Sequence, residues 1–147
     1  MNSYLKLTRF AYEEPHNLEL QLEVSNGIFS GALHIYLKRS DIEEIGSALL
    51  LFPRNSTDVY RFEVGSERME DRWAYYFLLR AFTFGARGQS AILFRLNNNR
   101  DLPFRGLSEF CIEAEVAQIN TLGSLLLEFG KLEHGRLLWS NAESGVF

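Results

Sequence analysis

Apolar and polar residues alternate regularly in the first third of the chain. Between residues 18 and 24, a leucine or valine at every second position alternates with glutamate or glutamine. This period of two predicts a strand with one buried and one solvated face. Asn26-Gly27 favours a tight hairpin turn into a second alternating segment, residues 32–37. With an earlier strand over residues 4–12, closed by a polar loop at 13–17, the pattern predicts a three-stranded antiparallel meander.

The hydrophobic period changes after residue 39. Ser40-Asp41-Ile42-Glu43 matches a capping box with Ser40 as N-cap. Apolar residues then recur at positions 42, 45, 49 and 52, which is helical spacing, and Pro53 closes the helix. The first half therefore reads as three strands followed by a helix.

The second half repeats this order with an additional leading strand. The segment 73–84 is apolar on both sides, so we expect a central strand that is covered on both faces. A polar loop precedes it at 65–72, and a short strand or packed tail is expected near residues 137–139. The other predicted elements are strands at 59–64, 91–96 and 107–114 and a helix at about 115–131.

The two predicted helices resemble each other in sequence. Residues 42–52 and 119–129 are identical at six of eleven positions, at an offset of 77. The hairpin strands match better at an offset of 72, which places a five-residue insertion around Arg100 to Arg105. Self-similarity of this kind indicates one structural unit used twice. We therefore predict an α+β fold with one or two antiparallel sheets, two helices and a duplicated β-β-β-α unit with pseudo-twofold symmetry.

The predicted domain organisation follows from the length and the repeat. A chain of 147 residues is expected to form one domain, residues 1–147. Its repeat halves would cover about 1–53 and 57–131, with a C-terminal tail at 132–147. Gly46 and Gly123 occupy the same repeat position inside a helix, where glycine costs about 0.5–1 kcal/mol relative to alanine. Close packing of helix on sheet or of helix on helix would explain them structurally, and an indifferent glycine is the alternative.

Composition and charge exclude several classes of protein. The net charge is −4 and no basic stripe is present, so we expect no nucleic-acid partner. No window reaches the length of a membrane span, and the first twelve residues lack a signal-peptide apolar run, so we expect no membrane association and a cytoplasmic location. The single Cys111 lies in an apolar run and is expected to be a small buried residue.

Motifs for catalysis and for metal or cofactor binding are lacking in the sequence. There is no nucleophile elbow and no phosphate-binding loop, and the three histidines show no metal-ligand spacing with one another or with Cys111. Solvation accounts for the paired carboxylates. We therefore expect no enzyme, no cofactor and no metal, with an uncharacterised enzyme as the remotest alternative.

Two arginines and an asparagine cluster are the candidate binding residues. Arg80 and Arg95 lie inside strands of large apolar residues. If those faces are covered, each guanidinium needs a partner such as Glu63 or Glu113; a solvated strand face and an anion-recognising groove are the alternatives. The cluster forms either a turn or a recognition loop after its strand. It consists of Asn97, Asn98, Asn99, Arg100 and Asp101, of which the first four are the candidate binding residues.

A family resemblance lies in the last forty residues. The segment 108–115 (Ser-Glu-Phe-Cys-Ile-Glu-Ala-Glu), followed by Ile119-Asn120, Leu122-Gly123 and Leu132-Glu133-His134, resembles a group of small, mostly uncharacterised bacterial proteins found among WapI-type immunity proteins. The resemblance implies a protein that binds and neutralises a toxin delivered between neighbouring cells. It implies no enzymatic activity and carries over no functional residue.

These observations favour a non-catalytic, intracellular protein-binding module of the immunity type. A rigid sheet surface with its loops would occlude the active site of a toxin. The alternative is a small-ligand module that binds an anion in a cleft between the two repeat halves, through Arg80 or Arg95. Homodimerisation through an edge strand stays open.

Overall fold

The computed structural model describes residues 3–11 and 16–147, and it has two antiparallel sheets and two helices. The predicted α+β class is confirmed. The first half forms β1 (Tyr4–Phe10), β2 (Asn17–Ser25), β3 (Ser30–Lys38) and α1 (Arg39–Leu50). The second half forms β4 (Tyr60–Gly65), a short 3-10 helix (Met69–Asp71), β5 (Tyr76–Phe84), β6 (Gln89–Asn97), β7 (Leu107–Glu113) and α2 (Val116–Phe129), and the chain closes with β8 (Arg136–Ser140) and β9 (Gly145–Val146).

The strands form a five-stranded and a four-stranded sheet. The first has the order β3-β2-β1-β8-β9, so the C-terminal tail completes the sheet of the first half. The second has the order β4-β5-β6-β7, and every pair in both sheets is antiparallel. Hairpin connections between consecutive strands produce these meanders, as the alternating sequence pattern predicts.

The element boundaries follow the two sequence offsets. β1 and β5, and likewise β2 and β6, begin 72 residues apart, whereas β3 and β7, and α1 and α2, begin 77 residues apart. The difference of five lies in the connection between β6 and β7, residues 98–106, which corresponds to the shorter connection 26–29. The order strand-strand-strand-helix thus occurs twice. A twofold rotation that relates the halves stays a prediction.

One core lies between the inner faces of the two sheets and the two helices. The apolar positions of β2 are almost completely buried, which is why its strict alternation was readable from the sequence. The largest fully buried side chains are those of Phe52, Phe94 and Phe129. Burial of large apolar side chains on this scale is the main driving force for the fold.

Both helices begin with a reciprocal contact at the N-cap. α1 begins at Arg39, and its N-cap is Lys38, whose backbone N–H donates to the Asp41 carboxylate at 2.9 Å. The prediction of Ser40 as N-cap was wrong, because Asp41 already occupies the position from which a carboxylate reaches the end of β3. In α2, the N–H of Glu115 donates in the same way to Oε1 of Gln118 at 2.8 Å.

The four-stranded sheet departs from the prediction at two points. Cys111 is exposed, not buried, because its neighbours Phe110 and Ile112 take the inward positions of β7. β5 is central, as expected, but it begins at Tyr76 and its second face is only partly covered, since Phe84 at its end is 38% exposed.

Part of the predicted loop at 13–17 lies outside the described residues. In the described part of the chain, no helix is long and apolar enough to cross a membrane.

Candidate functional site: an arginine cleft at one end of the four-stranded sheet

An open cleft of about 480 Å³ lies at the end of the four-stranded sheet where β4 leads into β5 and β6 leads into β7. Two connections form its walls, the 66–75 loop and the 98–106 loop. We call it the arginine cleft. Its lining residues are Glu67, Arg68, Met69, Arg72, Trp73, Asn97, Asn99, Arg100, Asp101, Arg105 and Leu107.

Asn98 organises the 98–106 loop from inside. Its side-chain oxygen accepts hydrogen bonds from the backbone N–H groups of Arg100 (3.1 Å) and Gly106 (2.9 Å). Its amide nitrogen donates to the carbonyl oxygen of Phe104 at 3.0 Å. One side chain therefore satisfies three backbone groups that the turn leaves without ladder partners.

Asn99 joins the two walls of the cleft. Its side-chain nitrogen donates to the carbonyl oxygens of Ser66 (2.7 Å) and Trp73 (3.1 Å), both in the 66–75 loop. Its backbone is left-handed, with φ 53°, a conformation that asparagine tolerates better than most residues. The other wall, the 66–75 loop, begins directly after Gly65, the last residue of β4. Gly65 has a φ of +89°, and a Cβ atom there would lie 2.1 Å from the carbonyl oxygen of Tyr75.

Arg95 holds the 66–75 loop against the sheet through its ion pair with Glu67, a lining residue of the cleft. On the outer face of the sheet, the side that points away from the core, its guanidinium lies 2.9 Å from Glu67 and 3.3 Å from Glu109. Glu67 also accepts a hydrogen bond from Asn97 at 2.6 Å. Burial raises the pKa of Glu67, but the hydrogen bonds from Arg95 and Asn97 outweigh it, and the resulting pKa is below its ordinary value.

The expected carboxylate partners for Arg95 were therefore wrong. Glu67 comes from the loop over the sheet, and Glu109 lies directly across from Arg95 in β7. Glu63 instead accepts hydrogen bonds from Arg61 (2.8 Å) and from the Tyr76 hydroxyl (2.6 Å). Burial, together with the hydrogen bond to Glu63, raises the pKa of Tyr76 to about 12.

Positive charge dominates the lining of the cleft. It contains four arginines and two carboxylates. Glu67 is committed to Arg95, and Arg68 is committed to Glu70, at 2.7 Å. Three guanidinium groups remain that form no hydrogen bond or ion pair with any described residue: those of Arg72, Arg100 and Arg105. The Arg100 guanidinium lies over the Phe104 ring, 4.7 Å from its centroid.

Exposed apolar side chains surround these arginines. Phe104 is 61% exposed and Trp73 is 46% exposed, one in each wall. Large exposed side chains of this kind, next to arginine, are typical of the centres of protein interfaces. The others in the two walls or at the start of β7 are Met69, Leu102 and Leu107.

Arg80 lies on the same outer face but outside the cleft. In the ladder between β5 and β6, Arg80 lies opposite Leu93 and Arg95 lies opposite Leu78. Arg80 is therefore two ladder positions further from the two loops than Arg95. Its guanidinium lies over the Phe82 ring, 5.1 Å from the centroid. Within the described part of the chain, its buried Nε atom has no hydrogen-bond partner.

The candidate residues from the sequence therefore divide into three groups. Asn97, Asn99 and Arg100 line the cleft; Asn98 and Arg95 hold it in shape; Arg80 lies apart. The sequence reasoning missed Arg72 and Arg105, because both are in polar loops without periodicity. The sequence signal that could have identified them is that arginines occur in both connections at the same end of the predicted sheet.

A smaller cleft of about 130 Å³ lies between the two halves of the chain, with Ile112 and Trp139 among its lining residues. It contains no arginine. Neither Arg80 nor Arg95 therefore lines this cleft between the two halves.

One cluster near the end of α2 has metal-ligand chemistry. Ligand atoms of Glu128, Glu133 and His134 lie within 4.8 Å of one another, the one such group among the residues that the structure describes. The search by histidine and cysteine spacing missed it, because two of its members are carboxylates. The Lys131 ammonium already lies 2.9 Å from Glu128.

Comparisons of the chain with protein-family models, with curated proteins and with solved structures found no match.

Proposed function

We propose that the chain is a non-catalytic protein-binding module that uses the arginine cleft and the adjoining outer face of the four-stranded sheet. The observation that carries this proposal is the combination of exposed Trp73 and Phe104 with three uncommitted guanidinium groups. Aromatic residues and arginine contribute most to the affinity of protein interfaces.

The construction of the face supports recognition more than catalysis. Asn98 and Asn99 fix the loop backbones by hydrogen bonds, so a partner would meet a surface that is largely formed before binding. The cleft is wide and open, and its arginines and exposed aromatic side chains suit contact with a protein surface.

The particular class that we propose is a cytoplasmic immunity protein of bacteria. The resemblance of residues 108–134 to WapI-type immunity proteins supports this class. In the proposed mechanism, the two loops cover the active site of a toxin and exclude its substrate.

Homodimerisation through an edge strand stays a prediction that sedimentation equilibrium can test.

Capture of the partner tests this function. The purified chain is the bait in lysate and culture supernatant of its source organism, and captured proteins are identified by mass. We expect one partner in near-equal amount that is lost when both Trp73 and Phe104 are replaced by alanine. Phe147→Ala removes an aromatic side chain of similar exposure, 55%, at the other sheet, and should capture normally.

Co-expression then tests the immunity class. The captured partner is expressed in a host with the wild-type chain or with the Trp73→Ala/Phe104→Ala variant. We expect the wild type to restore growth and the variant not to restore it. A captured partner that does not impair growth would contradict the immunity class, but it would still agree with a protein-binding module. Capture that is equal for all variants would sink the proposed face.

Small-anion binding is the second candidate function, and the three uncommitted guanidinium groups favour it. A thermal-shift series with sulfate, phosphate and citrate tests it against chloride at equal ionic strength. Saturable stabilisation that Arg105→Gln abolishes would favour this candidate, because a bound ligand stabilises the folded state by mass action.

A further inference from the structure

We infer that the arginine cleft takes an acidic segment of a polypeptide, with carboxylates on the guanidinium groups of Arg72, Arg100 and Arg105. This inference rests on the proposed function and specifies the chemistry of the partner.

The charge balance of the cleft is opposite to that of the chain. The chain carries −4, whereas the uncommitted groups in the cleft are three guanidinium groups against the single carboxylate of Asp101. Surface arginines of a mildly acidic protein would usually find carboxylates nearby. The 66–75 loop has three carboxylates: Glu67 is occupied by Arg95 and Glu70 by Arg68, while Asp71 accepts a hydrogen bond from the Ser66 hydroxyl at 2.6 Å and forms no ion pair with a described residue.

The geometry keeps these three groups available to a partner. Arg72 and Arg100 lie in opposite walls, and Asn99 links those walls through Ser66 and Trp73. Arg100 is supported by the face of Phe104, which orients a guanidinium without using its N–H donors. The planar fork of arginine matches a carboxylate with two parallel hydrogen bonds.

An acidic peptide fits this surface better than a nucleic acid does. A phosphate backbone carries closely and regularly spaced charges and is bound by extended basic stripes. Here Arg72, Arg100 and Arg105 form a short group within one cleft, not a stripe; Asp101 lies in the same cleft and Glu109 lies on the adjoining strand β7. A peptide also uses the exposed apolar side chains of the walls, such as Trp73, between its carboxylates.

An NMR titration with a hexaglutamate peptide tests the inference. The probes are the Nε–H signals of the arginine side chains and the backbone N–H signals of both loops. We expect saturable shifts at Arg72, Arg100 and Arg105 that weaken as salt is added. Replacing all three arginines by glutamine should weaken binding by about tenfold, since each exposed ion pair contributes only a small part of the affinity.

Arg87→Gln is the matched control. Arg87 is exposed in the turn between β5 and β6, at the opposite end of the same sheet, and it should leave binding unchanged. The triple variant is expected to fold, because the replaced guanidinium groups make no hydrogen bond or ion pair with described residues. Its amide spectrum checks this, and Arg105→Gln alone provides a milder second variant with a smaller loss.

The outcomes separate this inference from the proposed function. Backbone shifts in the cleft whose midpoint rises about tenfold in the triple variant and stays unchanged in Arg87→Gln would support it. No saturable shift, a midpoint that the triple variant leaves unchanged, or tighter binding of an oligothymidylate of equal charge would overturn it. In those cases the capture experiment still decides the protein-binding function, because a partner held by Trp73 and Phe104 needs no acidic segment.

Discussion

The backbones of the two helices touch at Gly46 and Gly123. A Cβ atom on Gly123 would lie 2.6 Å from the carbonyl oxygen of Gly46 and 2.3 Å from the backbone nitrogen of Leu50. A Cβ atom on Gly46 would lie 3.0 Å from the carbonyl oxygen of Gly123. The pair of glycines at one repeat position therefore marks a helix-on-helix contact.

Gly123→Ala should lower the free energy of unfolding by at least about 1 kcal/mol. Alanine gains about 1 kcal/mol of helix propensity, but its methyl group meets backbone atoms that can yield only if the helices separate, so the overpacking cost should lie in the upper part of the usual range, about 2–3 kcal/mol. We expect a smaller loss for Gly46→Ala, because part of its contact is with the side chain of Leu127. Urea denaturation measures both.

Gly135→Ala is the control for these helix variants. A Cβ atom there meets no atom of the described residues within 4 Å. Its effect should stay within about 0.5 kcal/mol, the usual range for surface substitutions. A Gly123→Ala variant of wild-type stability would show that the helices do not approach this closely.

Asn98→Ala should loosen the 98–106 loop. The variant loses the acceptor for the N–H groups of Arg100 and Gly106 and the donor to Phe104. We expect a loss of about 1–2 kcal/mol and faster amide exchange at Arg100 and Gly106. Asn98→Asp retains the acceptor and should retain more of the amide protection; equal exchange in both variants would contradict this role.

Tyr76 should make stability depend on pH in alkali. Its folded pKa is raised to about 12 by burial and by the hydrogen bond to Glu63, against about 10 in the unfolded chain. The contribution is complete below pH 10 and is lost as the pH rises through the folded pKa, because the unfolded state then releases the proton more easily.

A tyrosinate absorbance titration, followed with alkaline denaturation, measures this effect. Tyr76→Phe should remove one high-pKa tyrosine and flatten the loss of stability between about pH 10 and 12. It should also cost about 1 kcal/mol at neutral pH through the lost hydrogen bond. An unchanged titration curve in the variant would show that Tyr76 ionises normally.

Arg80→Met should not reduce stability. The variant removes a buried Nε–H that has no partner among the described residues and retains an unbranched apolar side chain. The relief of an unsatisfied donor should outweigh the lost contact with the Phe82 ring, so we expect a gain of up to about 1 kcal/mol. Thermal denaturation measures it, and a loss above about 1 kcal/mol would show that the guanidinium stabilises the fold.

The same variant should weaken capture of the partner. Groups that reduce stability without a structural role are often retained for binding. Arg87→Gln again serves as the control. Normal capture by Arg80→Met would confine the interface to the arginine cleft and its walls.

The elements of the fold were readable because their patterns are local. The alternation in β2 and the helical spacing around Gly46 reflect burial against one core, and burial sets the period. Cys111 was misjudged because an apolar run does not reveal which alternate positions face inward. Ser40 was misjudged because Asp41, not Glu43, takes the N3 position of the capping box, which places the N-cap two residues earlier, at Lys38.

The cleft was readable only in part because it depends on contacts that are distant in sequence. Asn97 is the last residue of β6, and Asn99 and Arg100 come just after it, so their place at the sheet end could be predicted. Glu67 reaches Arg95 across 28 residues, and no local pattern carries that pairing. The availability of Arg72 and Arg105 depends on which neighbouring carboxylates are already paired, which only the folded arrangement shows.

Amide hydrogen exchange of the chain with and without its captured partner tests the binding face most directly. We expect slower exchange in the partner complex at residues 66–75 and 98–106 and at the exposed end of β7, with the five-stranded sheet unchanged. Protection confined to the five-stranded sheet or to the two helices, with both loops exchanging as in the free chain, would contradict the proposed face.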